Sequence, residues 1–214
     1  MTISIIVSDP EFLVREGIKQ ILAGDPEFSV AVETADMTET LSALKMHQAD
    51  ICILEVVMGN NAGLQFLRKA KKAAGATSLL VMGYHHEREF SLRVCRAGAA
   101  GYLAKDCTAE ELIHAVKTIA AHRPYISEIM RDMFIEGIVN ARSSRPHDAL
   151  SDMDFDIFCL LAQSMPIARI ASICNLHITA VRARRIRIMQ SLSLQNDAEI
   201  VQYAIKRKLI DPHT

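Results

Sequence analysis

Five short apolar runs, each followed by an amphipathic stretch, occupy the first 121 residues and leave few folds open. The runs fall at 3–7, 28–32, 51–55, 79–82 and 101–103, each of strand length. The stretches between them carry apolar residues at helical spacing. From Pro10 to about Ala23 the stripe is Phe12, Leu13, Ile18, Ile21 and Leu22; further helices are expected at 38–46, 62–73, 87–97 and 109–121. Strands joined by helices require right-handed crossovers. The result is a parallel sheet covered on both faces, an α/β doubly wound fold with five strands.

The pattern changes after residue 121. His122-Arg123-Pro124 stops the fifth helix, and Ser143-Ser144-Arg145-Pro146-His147-Asp148 is polar and Pro-containing. Residues 122–149 read as a linker with a short helix near 129–139. Residues 150–214 are helical throughout, in pieces at 152–163, 167–173, 178–191 and 197–207, enough for a small all-α bundle. The expected division is therefore 1–121, 122–149 and 150–214.

Charge follows the same division. Residues 150–214 hold eight Lys/Arg against six Asp/Glu, a balance of +2, and the rest of the chain carries −3. A mildly basic helical domain after an acidic one points toward nucleic acid. Five cysteines, an odd number with no CxxC spacing, argue against a disulfide framework. Cys52, Cys95 and Cys159 read as buried thiols; Cys107, after Lys105, offers a minor redox-sensing alternative. The first residues form a strand rather than a signal peptide, and no run approaches the ~20 apolar residues of a membrane span. A cytoplasmic protein with no membrane association is expected.

A parallel sheet brings the carboxyl ends of strands one, three and five to one edge, where open α/β sheets place their chemistry. Those ends carry Asp9, Glu55 and Lys105. Two carboxylates beside one ammonium should form a salt-bridged cluster. Asp9 also precedes Pro10 and is suited to cap helix one. Thr108 with Glu111 has the spacing of a capping box. His85 and His86 titrate near neutrality in isolation, but read best as solvated loop residues. No nucleophile–base pair and no metal-ligand spacing emerges, so neither an enzyme nor a cofactor is expected.

The stretch Arg96-Ala97-Gly98-Ala99-Ala100-Gly101-Tyr102-Leu103-Ala104-Lys105-Asp106 resembles the strand-five signature of NarL/FixJ-type response regulators, and the resemblance covers residues 2–121. It implies a flavodoxin-like receiver domain in which Lys105 holds a phosphoryl group and Tyr102 is the switch aromatic. The departures concentrate in the pocket. Where the family has two acids after strand one, the first is Ser8; where it has a phosphoacceptor aspartate, this chain has Glu55. Gly83 stands for the hydroxyl residue after strand four, and Gly59 for a proline. Losing one carboxylate weakens an octahedral Mg²⁺ site. One extra methylene misplaces the acceptor for in-line transfer. Gly83 has no hydroxyl to draw toward phosphate. A receiver not phosphorylated in the ordinary way is expected. Glu55 either mimics a phosphoaspartate in part or simply neutralises Lys105, and the second reading is favoured because a carboxylate carries less charge.

Residues 150–208 resemble a LuxR-type helix-turn-helix, with Ala180, Ser164 and Ser191 replacing a threonine, a glycine and a lysine. Ser151 is the expected cap of its first helix, with Asp154 in the capping-box position. In its third helix, Val181, Ile188 and Leu192 share one direction and should face the bundle. The opposite face then presents Thr179, Arg182, Ala183, Ile186, Arg187 and Gln190, with Arg184 and Arg185 on the flanks. That face suits base edges and thymine methyls in a major groove, and the flanks suit phosphates. The resemblance further implies a homodimer through the fourth helix on double-stranded DNA. Two alternatives stay open: an antagonist that pairs with another regulatory protein, and a ligand sensor using the altered pocket around Ser8, Glu55 and Gly83.

Overall fold

Short, continuously apolar runs buried on both faces build most of the sheet. In the computed structural model, which describes residues 2–56, 61–84, 87–132, 146–207 and 209–210, the strands are β1 (Ile3–Ser8), β2 (Phe28–Thr34), β3 (Ile51–Glu55), β4 (Ser78–Gly83) and β5 (Gly101–Ala104). All pair in parallel, in the order β2-β1-β3-β4-β5. The helices between them are α1 (Phe12–Ala23), α2 (Met37–Met46), α3 (Asn61–Ala73), α4 (Glu87–Arg96) and α5 (Ala109–Ala120). Alternation sends Ile5, Val7, Ile51, Ile53, Leu80, Met82 and Leu103 to one face, where they join Ile18 and Leu22 of α1 and Leu112, Val116 and Ile119 of α5. Buried Ile6, Cys52, Leu54, Leu79, Val81 and Tyr102 fall on the opposite register. The expected βαβ architecture is what forms, with strands one, two, four and five extended by one or two residues.

Local signals set the helix ends. Asp36 caps α2, accepting from the N–H groups of Thr38 and Glu39 at 2.7 and 2.9 Å. Thr108 and Glu111 form the expected reciprocal capping box of α5. Asp9 does not cap α1. The cap position is Glu11, which makes no side-chain cap bond, and Asp9 instead accepts the Glu11 N–H at 2.8 Å in the turn before the helix. After α5 the chain folds back on its own sheet: the Tyr125 N–H donates to the Ala100 carbonyl at 2.8 Å and its ring joins the core. Met130 is buried as well. Residues 128–132 are helical; the rest of the helix expected near 129–139 lies outside the described residues, as do Gly59, His85 and His86.

A second unit begins past Arg131. A 3₁₀ turn at Pro146–Ala149 leads into α6 (Asp152–Ala162), α7 (Ile167–Cys174), α8 (Ile178–Leu192) and α9 (Asp197–Lys206). Its core holds Phe155, Phe158, Ile170, Val181, Ile188, Ile200 and Ala204. Buried His147 joins it, edge-on to Tyr203 and hydrogen-bonded to the Tyr203 hydroxyl at 2.8 Å. Three tight turns place non-glycine residues in the left-handed region: Ser164 (φ 57°), Asn175 (φ 51°) and Ser193 (φ 56°). Cys52, Cys159 and Cys174 are buried thiols, whereas Cys95 and Cys107 are only half-buried. Burial pushes the Cys52 thiol up to about 12.

Candidate functional site

Strand order turns at the β1/β3 boundary, and this is where open sheets of this order leave a crevice at their carboxyl edge. Ser8 ends β1, Glu55 ends β3, Gly83 ends β4, and Lys105 follows β5. The backbone seats the lysine directly, since its N–H donates to the Gly83 carbonyl at 2.9 Å. Its ammonium then meets Asp9 Oδ2 at 2.7 Å and Glu55 Oε1 at 2.9 Å. Asp9, Glu55 and Lys105 therefore converge as the strand pattern expects.

Two further groups complete the cluster, and the sequence reading did not place them there. Glu11 Oε2 lies 3.2 Å from the Lys105 ammonium and also accepts the Tyr84 hydroxyl proton. The Tyr84 ring covers the same ammonium, whose nitrogen is 4.4 Å from the ring centroid, a cation–π arrangement. A signal for Glu11 existed: it sits two residues past Asp9, in the turn that the strand end must feed. Tyr84 reaches Glu11 across 73 residues of chain, and no periodicity marks that contact.

Ser8 is buried but is engaged elsewhere. Its hydroxyl contacts Thr40 Oγ1 at 2.6 Å, and Thr34 contacts the same oxygen at 3.0 Å. Thr40 gives its one proton to the Asp36 carbonyl, at 2.7 Å, so Ser8 and Thr34 act as donors to it. Gly83 offers no hydroxyl, and little room for one: a Cβ there would stand 3.1 Å from the Tyr102 hydroxyl oxygen. Tyr102 itself is fully buried.

Three carboxylates around one ammonium leave the cluster with an excess of negative charge. Burial pushes the Glu55 carboxyl above its ordinary range; Lys105 pulls it back, while Asp9 and Glu11 add to the rise. For Lys105, burial opposes the charged form, but hydrogen bonds to Asp9 and Glu55 outweigh it and hold the ammonium well above its ordinary value. The Tyr84 hydroxyl, followed by Lys105, keeps Glu11 low, and that same hydrogen bond raises the Tyr84 phenol. The lysine is therefore a fixed cation whose donor directions are already taken. Among the described residues, no group of three ligating side chains is disposed to hold a metal ion.

In the second unit, α8 buries Val181, Ile188 and Leu192. Thr179, Arg182, Ala183, Ile186, Arg187 and Gln190 are all exposed, so the outward face matches the helical wheel. The flanks differ from a bare cationic helix. Arg184 pairs with Asp154 of α6 at 2.6 Å, and Arg185 pairs with Asp197 of α9 at 2.8 Å. The compensating acids lie on other helices, where the α8 sequence does not show them.

The profile of the response regulator receiver domain matches residues 5–117. Oxygen regulatory protein NreC of Staphylococcus carnosus (strain TM300) is 30% identical over 214 residues, covering 97% of this chain and 99% of the relative. RcsB from Salmonella enterica serovar Typhimurium, bound to promoter rprA in the presence of phosphomimetic BeF3-, is similar in fold: the TM-score is 0.74 at 17% identity, over 95% of this chain and 98% of that one. A LuxR-family two-component response regulator from Aurantimonas sp. SI85-9A1 gives a TM-score of 0.59 at 27% identity, over 65% of this chain and 99% of that one. With a receiver sheet that carries Lys105 at its carboxyl edge and a four-helix unit after it, the chain belongs to the response regulator family, as a receiver domain followed by a helical C-terminal domain.

Proposed function

We propose that this response regulator is a sequence-specific, DNA-binding transcription regulator whose receiver domain acts without aspartyl phosphorylation. The observation that carries the reading is the outward face of α8. It sets two arginines, Arg182 and Arg187, beside two small or apolar residues, Ala183 and Ile186, all exposed on a helix whose other face is locked into a core. Guanidinium groups address guanine edges or phosphates, and apolar side chains address thymine methyls. Thr179 and Gln190 extend the same face. Arg184 and Arg185 enter as flanking phosphate contacts that already hold ion pairs within the unit.

The receiver half of the proposal rests on Lys105. Asp9 and Glu55 already occupy its ammonium, with Glu11 and Tyr84 alongside. A phosphoryl group would have to displace those contacts, start from a glutamate, and find no hydroxyl at Gly83. In this reading 1–121 is the degenerate receiver, 122–149 the connection and 150–214 the DNA-binding unit. The protein works as a homodimer on two-fold related half-sites.

A gel-shift titration on duplex from upstream of its own locus tests both halves. We expect saturable binding that a scrambled duplex does not match, and the same midpoint with or without acetyl phosphate and Mg²⁺. Equal binding to both duplexes would remove sequence-specific recognition. A Mg²⁺-dependent gain with acetyl phosphate would remove phosphate independence.

A further inference from the structure

Asp154 stands in the third position of α6 with both carboxylate oxygens engaged. Its Oδ2 accepts the Ser151 hydroxyl at 2.7 Å, and its backbone N–H donates back to Ser151 Oγ at 3.1 Å, which fixes the side chain. Its Oδ1 faces α8. There it holds Arg184 at 2.6 Å and lies 3.8 Å from a guanidinium nitrogen of Arg187. The two arginines differ in access: Arg184 is largely enclosed, and Arg187 has 61% of its side chain exposed on the outward face. One anion thus serves a cation that stays in the fold and another that is free to leave it.

We propose that Asp154 is a positioning residue for the DNA contact: it anchors Arg184 and competes with a DNA phosphate for Arg187. The inference rests on the reading of α8 as the DNA-contacting helix. Before a duplex is engaged, Asp154 holds the Arg187 guanidinium near the α6 terminus. On DNA that guanidinium exchanges one carboxylate oxygen for phosphate oxygens, so part of the electrostatic gain is offset by the contact given up. Asp154 is therefore a brake on affinity rather than a contributor to it.

The test uses the full-length protein, with duplex from upstream of its own locus and a scrambled duplex of equal length. Asp154→Asn keeps the shape and the backbone N–H of the turn. It is expected to tighten binding to both duplexes by about two- to fivefold at low salt. The gain should shrink as salt rises and vanish when Arg187→Gln is added. Asp152→Asn, two residues before Asp154 and equal in charge change, should give a smaller gain that Arg187→Gln leaves intact. An Asp154→Asn gain that survives Arg187→Gln, or is matched by Asp152→Asn, overturns the role given to Asp154. So does an unchanged affinity in a variant whose thermal unfolding matches the parent. A parent protein that binds neither duplex overturns the DNA reading, and the inference falls with it by a separate, visible failure.

Discussion

Lys105 lies between Asp9 and Glu55 with 4% of its side chain exposed, and each carboxylate depends on it. Removing one partner of a buried pair leaves uncompensated charge, which is costlier than never having built the pair. Lys105→Met should therefore lower unfolding free energy by about 3–5 kcal/mol near pH 7. The loss should depend on pH. The Glu55 carboxyl is raised in the folded state, chiefly by burial, so this group binds more protons folded than unfolded just above the ordinary glutamate range. Its contribution to stability then falls as pH rises through that window, and more steeply without the ammonium. Urea denaturation should show a wider gap between variant and parent at about pH 7 than at about pH 5. A gap that stays constant would mean that Glu55 does not need Lys105. At this scale the sequence was informative where strand ends dictate position: Asp9, Glu55 and Lys105 follow from parallel topology alone. It was silent on Tyr84 and Thr40, and it gave Asp154 only its place beside Ser151; their other contacts come from side chains meeting across the fold.

The helical unit closes its short connections with residues other than glycine. Ser164 and Ser193 sit at φ 57° and 56°, where an L side chain crowds its own backbone. Glycine removes that crowding but enters with greater unfolded-state freedom. The balance should favour Ser164→Gly and Ser193→Gly by about 0.5–1 kcal/mol each, read as a higher denaturation midpoint. A lower midpoint would show that a serine hydroxyl is worth more than the strain. Element positions were legible because each had a strong period: α8 alternates Val181, Ile188 and Leu192 against its arginines, and β3 is continuously apolar. Boundaries were less so. Helix α1 starts at Phe12 rather than Pro10, because Asp9 spends its carboxylate on the Glu11 N–H and on Lys105 instead of on the first helical turn. The path after α5 was also hidden. Tyr125 returns to Ala100, and a proline-containing polar stretch gives no hint that one aromatic within it completes a core.

For the whole molecule, the proposed homodimer makes a geometric prediction. Two copies related by a two-fold axis should protect two half-sites centred about one helical turn apart, ~10 bp. Hydroxyl-radical footprinting of the upstream duplex measures that spacing directly, and a single protected segment would count against paired recognition. Gly83 and Tyr102 carry a consequence of another kind. A Cβ at position 83 would stand 3.1 Å from the Tyr102 hydroxyl oxygen, so a serine or threonine there requires the fully buried ring to shift slightly. Tyr102→Phe, which removes that oxygen, relieves the contact. Positions 83 and 102 are thus coupled: a side chain added at the end of β4 is felt first by the aromatic ring of β5 beside it.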